Sequence, residues 1–232
     1  MPRQRVNGLW NGIMRRVISL WLPRFATDRL SRQQPAWRSE PLVTVSDGGF
    51  AATARGPLGG CDSGSSVMRV AAVNQVAEAS AGIMPGMRLA DARARLPGLC
   101  VVSAEGDEDM AALGALGDWC GHWTPWVSLD ATGPDSVLGA SHGLWLDITG
   151  CAHLFGGEVA LLNDVLCRLT HFGFTVRAAL ADTPGAAWAV AHYGAGKQEC
   201  EQVIAPGHTH AALAMLPLRA LRISPVEVDG LE

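Results

Sequence analysis

No uncharged apolar run in this 232-residue chain approaches the roughly 18 residues that a membrane helix needs, so a soluble protein is expected. The opening MPRQRVNGLWNGIMRRV is basic, but it lacks a continuous apolar segment followed by a small-residue cleavage site. That argues against a secretory signal and for the cytoplasm. The cysteines at 61, 100, 120, 151, 167 and 200 never occur as CxxC, so no disulfide framework is implied and small buried hydrophobes are expected. Cys120-x-His122 and Cys151-x-His153 each offer one thiolate and one imidazole. They lack the C-x₂₋₄-C or H-x₃₋₅-H spacing of structural zinc sites, which leaves buried cysteine and ordinary histidine as the reading. A phosphate-binding P-loop, GxGxxG, GxSxG and HExxH are all missing. Base is in deficit too: 18 Lys and Arg against 22 Asp and Glu give a net charge of -4. That balance excludes a surface that wraps nucleic acid throughout but permits a local basic stripe.

What is present is apolar enough to fold. Hydrophobic residues make up 48% and charged residues 17%, enough for one large or two small domains. VISLWL, residues 17–22, is rich in β-branched and aromatic side chains and is followed by Pro23, so a strand leaves the core there. The basic residues 1–16 before it read as a loose tail. PLVTV and MRVAAV, residues 41–45 and 68–73, read as strands flanking a Gly/Ser-rich loop at 48–66. Helical spacing appears at 74–82, at Leu89–Leu96 before Pro97-Gly98, and at Asp107–Trp119.

The clearest unit follows. LWLDIT, residues 144–149, alternates as a half-buried strand does. Val159, Leu162, Leu166 and Leu169 share one helix face, with Gly173 as terminator, and residues 174–181 form the next strand. Thr183 or Asp182 then caps a helix that has Pro184 in its first turn. This order predicts an α+β sheet covered by helices on one face. Among the eight tryptophans, Trp21, Trp145 and Trp188 are expected to face the core.

Four blocks then carry a resemblance: GIMPGMRLADARARLPGL (82–99), WTPWVSLD (123–130), GLWLDITGCAHLFGGE (143–158) and ALADTPGAAWAVAHYG (179–194). In this order they resemble the ImuB branch of the Y-family translesion polymerases (the UmuC/DinB superfamily). The resemblance implies a ferredoxin-like palm over 17–24 and 101–205 and fingers over 25–100. An incomplete helix-hairpin-helix thumb would begin in 206–232, after the tail of 1–16. It also implies where metal carboxylates would stand. Trp21 and Pro23 take the places of the two first-strand aspartates, with Phe25 on the aromatic that follows, and His142 and Gly143 take the places of the Asp and Glu of SxDExxLDxTG. Around the triphosphate, the family's arginine falls on Glu78 or Ala79 and its lysines on Ala186 and Val190.

Two-metal phosphoryl transfer needs hard oxygen ligands, and none of Trp, Pro, His or Gly supplies them for Mg²⁺. The expectation is therefore a non-catalytic accessory factor in DNA repair and mutagenic translesion synthesis, with no metal or cofactor. Its rival is an active polymerase with substitute ligands among Asp28, Asp130 and Asp147. Arg88, Arg93 and Arg95 are the candidate DNA contacts, read otherwise as a solvated helix face. The resemblance implies further partners: a RecA-like ImuA protein, an error-prone DnaE-type polymerase and the sliding clamp.

Overall fold

The alternation in VISLWL sets the architecture. In β3 (Val17–Leu22), Ile18, Leu20 and Leu22 point to one face of a sheet, while Val17, Ser19 and Trp21 point to the other. The structure, a computed structural model, describes residues 9–10, 13–47, 67–130, 142–194 and 201–221. A short antiparallel pair, β1 (Leu9–Trp10) and β2 (Ile13–Met14), precedes β3. The main sheet runs in the order β10 (Glu201–Val203), β9 (Arg177–Ala181), β3, β8 (His142–Asp147), β7 (Val127–Asp130). β3 lies antiparallel between β8 and β9, and β10 joins β9 in parallel.

Helices cover both faces of this sheet, which corrects the expectation of one. α4 (Gly106–Cys120) and α5 (Glu158–His171) pack with Ile18, Leu20, Leu22, Leu144 and Leu146. α6 (Pro184–Tyr193) packs against the opposite face, on Ala179 and Ala181 and beside Trp21. Its sequence explains the miss. Residues 186–192 are all buried, so α6 has no polar face whose absence of stripe could orient it. Thr183 does cap it, accepting the Ala186 N–H at 3.2 Å, with Pro184 in the first turn.

Other expectations needed small corrections. Val159, placed on the core side of α5, is 53% exposed, and Leu161 and Val165 take that side with Leu162, Leu166 and Leu169. α5 starts only at Glu158, so Val159 sits in an open first turn. Gly173, at φ +86°, does stop it, since a left-handed residue cannot continue the helix. Trp188 is fully buried, whereas Trp21 and Trp145 are half-buried and Trp126 is 73% exposed.

A second sheet, β5 (Met68–Val73), β4 (Leu42–Asp47), β6 (Cys100–Ser103), has its own core of Val43, Val45, Val70, Val73, Ile83 and Leu99. α2 (Gln75–Ala81) and α3 (Leu89–Arg95) complete it. α1 (Phe25–Gln33) connects the two units and belongs with the larger one. Phe25 lies in the large core, and Arg29 bonds Asp109 at 2.6 Å and Glu105 at 3.0 Å. α7 (Thr209–Leu213) packs on α6. The expected loop at 48–66 and residues 222–232 lie outside the described residues.

The basic stretch expected to be loose is fixed at its inner end. Arg16 is 6% exposed and holds three segments together. It reaches Glu158 through Nε (2.7 Å) and Nη2 (2.6 Å), Asp182 through Nη1 (2.7 Å) and the Ile204 carbonyl through Nη2 (2.8 Å). Burial disfavours its charge, but the bonds and charges of Glu158 and Asp182 outweigh burial and hold the guanidinium above its ordinary pKa.

Candidate functional site

The register lays four residues in a row across the main sheet: Asp130 on β7, Gly143 on β8, Trp21 on β3 and Arg177 on β9. Directly paired residues project to the same face, so this row lies on the α6 side. Trp21 fills it. Its indole stacks on His192 of α6 (centroids 4.4 Å apart, planes at 22°), and His192 stacks on Trp188 (4.1 Å, 25°). The Arg177 guanidinium lies 5.7 Å from the Trp21 ring centroid and donates to the Gly194 carbonyl at 3.2 Å. Arginine, indole, imidazole and indole thus form one column where the resemblance places metal and nucleotide.

Gly143 is required by the close approach of its neighbours. A Cβ added there would lie 2.8 Å from the Leu20 carbonyl oxygen and 3.1 Å from the Asp130 Cβ. His142, one residue earlier and paired with Leu22, is buried with its ring 4.8 Å from Phe25. Pro23 is exposed in the turn after β3. Ala186 and Val190 are buried in the same cluster as Trp21.

On the second unit, Glu78 accepts a 2.6 Å hydrogen bond from Arg24 Nη2, while Ala79 is exposed. The structure therefore brings Trp21, Gly143, Ala186 and Val190 together on the α6 side, while His142, paired with Leu22 and beside Phe25, faces the opposite side of the sheet; Arg24, shortly after β3, pairs with Glu78. Arg88, Arg93 and Arg95 lie apart from them, exposed at the two ends of α3. Arg95 donates to the Gly82 carbonyl at 3.0 Å. Arg69, bridged by its backbone to Arg88, adds a fourth cation that the sequence reading omitted. His192, Arg177 and Arg24 were omitted as well. Trp21 for His192 and Glu78 for Arg24 are distant in the chain, and the i, i+4 spacing of Trp188 and His192 is the one local signal that could have found His192.

A divalent cation does not fit this donor set. Among the described residues, no group of three or more His, Cys, Asp or Glu side chains could hold a metal ion. Of the three substitute carboxylates, Asp147 accepts from the Thr149 N–H and hydroxyl (3.1 and 2.6 Å) and pairs with Arg15 (2.9 Å). Asp28 accepts from the Thr175 N–H at 2.6 Å. Only Asp130, buried beside Gly143, stands in the row. Cys120, one of the four residues of the zinc alternative, is no ready thiolate, since burial pushes its pKa up to about 12.

Burial also raises Asp28, to about 6 from 3.8, against the opposing pull of Thr175 and Arg24. The folded state thus binds this proton more tightly than the unfolded chain. The stability involved is fully present below pH 3.8 and is lost as pH rises through about 6. Asp28→Asn keeps an acceptor for Thr175 and removes the buried charge. In urea titrations it is expected to gain about 1–2 kcal/mol at pH 7.5, with the gain shrinking by half or more at pH 5. A gain that is independent of pH would refute the assignment.

The chain matches the model of the IMS (impB/mucB/samB) family over residues 20–192. It belongs to that family. The family segment begins within β3, takes in the second unit and ends within α6, and it contains the row and the stacked column described above. Among curated relatives, the protein ImuB of Caulobacter vibrioides strain NA1000 / CB15N is 45% identical over 142 residues, as is ImuB of strain ATCC 19089 / CIP 103742 / CB 15. That match covers 61% of this chain but 28% of each relative. Among solved structures, the insertion ternary complex of Dbh DNA polymerase superposes with a TM-score of 0.70 at 16% identity, covering 93% of this chain and 57% of that one. The crystal structure of DinB from Sulfolobus solfataricus gives 0.63 at 16% identity, over 93% and 56%. At that identity the likeness is one of fold, and it bears out the α+β polymerase-like architecture expected from the sequence blocks. No helix among the described residues is long and apolar enough to cross a membrane.

Proposed function

We propose that this family member is a polymerase-like scaffold that does not itself transfer nucleotides, an accessory factor in DNA repair and mutagenic translesion synthesis. The observation that carries the reading is the row Asp130–Gly143–Trp21–Arg177, in which an aromatic column stands where two-metal chemistry needs converging carboxylates. The larger unit serves as palm and the smaller as fingers, with α1 (Phe25–Gln33), placed by the sequence bounds 25–100 in the fingers, tied instead to the palm of 17–24 and 101–205, and residues from 206 begin a thumb. The ImuB likeness suggests the partners: a RecA-like ImuA protein, an error-prone DnaE-type polymerase and the sliding clamp.

Mg²⁺ or Mn²⁺ with dNTP is expected to leave the melting temperature unchanged, whereas a ligand at a hundred times Kd would add ~2.7 kcal/mol. Primer extension is expected to be absent. The second reading, a polymerase with substitute ligands, is favoured by one feature, the buried Asp130 beside Gly143. Mg²⁺-dependent extension that Asp130→Asn abolishes would establish it and end the scaffold reading.

DNA contact by Arg88, Arg93 and Arg95 is proposed as weak and salt-sensitive. Changing all three to alanine should lower the slope of log K against log salt by about 2–3, at roughly 0.9 per phosphate contact. An unchanged slope would remove these arginines from the interface.

A further inference from the structure

We infer that the Arg24–Glu78 ion pair is a salt-sensitive clasp that sets how far the three-stranded unit stands open from the five-stranded one. The two units have separate cores with no residue in common. α1 moves with the larger unit, because Phe25 is in its core, Arg29 is bonded to Asp109 and Glu105, and Asp28 receives the Thr175 N–H. Arg24 immediately precedes α1 and is thereby fixed to the larger unit. Glu78 sits on α2, whose Ala77 belongs to the small core. Among the ion pairs of the described residues, theirs is the one that joins the units.

Its geometry suits a reversible contact. Nη2 and Oε2 are 2.6 Å apart, with side-chain exposures of 21% for Arg24 and 42% for Glu78, so salt can reach the pair. The larger unit's own ties are better buried: Arg29 and Asp109 expose 8% and 6%. Raised ionic strength therefore weakens the joint between the units before it weakens either unit. α1 also packs on β4 and β5. Such sliding or hinging of whole units about a small interface is a common form of conformational change.

Amide hydrogen exchange on the full chain, followed at residues 23–30 and 74–81, tests this. Glu78→Gln keeps side-chain shape and Arg24→Gln removes the guanidinium, and each is expected to speed exchange about fivefold in both segments, the scale of one partly exposed ion pair. Adding 0.5 M NaCl should move the wild type the same way and leave both variants unchanged. The exchanged pair Arg24→Glu with Glu78→Arg should return both segments to within about twofold of wild type. The clasp is overturned if only residues 74–81 respond, which is local fraying of α2, or if the exchanged pair is no better than the single variants.

Discussion

Gly143→Glu, which restores the carboxylate that polymerase relatives are expected to carry, should cost about 4 kcal/mol or more and leave little folded protein. The first carbon of any side chain at this position meets the Leu20 carbonyl oxygen at 2.8 Å, and that oxygen belongs to the backbone of the neighbouring strand. Nothing flexible can yield, so β3 and β8 must separate locally. Overpacking of this kind costs about 1–3 kcal/mol by itself. The added carboxylate would also lie close to Asp130, whose Oδ2 is 3.4 Å from the new Cβ, in a buried row without a metal to neutralise the two charges. Gly143→Ala isolates the steric part and should lose about 2 kcal/mol in urea unfolding. An alanine variant with the wild-type midpoint would show that the strands are farther apart than described. The same packing means that adding acids to this site subtracts stability before it can add chemistry.

The second large effect is expected at Arg16. Replacing it with methionine should destabilise the protein by about 3–5 kcal/mol, because Glu158 and Asp182 would be left together without their shared cation. Glu158 is 30% exposed, so water recovers part of its charge and the lower end of that range is expected. Arg16→Lys keeps the charge but cannot make the two parallel bonds to Glu158, and it should lose about 1–2 kcal/mol. The triple variant Arg16→Met, Glu158→Gln, Asp182→Asn removes the stranded charges and should recover about half of the loss. If the triple variant is no better than Arg16→Met alone, packing of the arginine stem rather than charge is the cause. Urea midpoints of the three proteins decide between these accounts.

Much of the frame was legible along the chain. β-branched and aromatic content marked β3, alternation marked β8, helical spacing marked α3, α4 and α5, and Thr183 with Pro184 marked the start of α6. These signals are local, since each depends on residues within one or two turns or a few strand positions. The sequence also supplied the expectation that Trp21, Pro23, His142 and Gly143 stand at the family's metal-ligand positions, which rests on the resemblance and on residue types alone.

What replaced the ligands was not legible. The stack of Trp21 on His192, the covering of a second sheet face by α6, and the pairing of Arg24 with Glu78 join residues far apart in sequence. Arg16 makes the same point: it looked like one more charge in a basic tail until Glu158, Asp182 and the Ile204 carbonyl converged on it. The sequence by itself determined most of the elements and the residue types standing in the row, Trp21 and Gly143 among them. Only the tertiary structure decided which groups fill that place, because stacking and ion pairing act over a few ångströms and the chain brings those groups within reach only when the sheet closes.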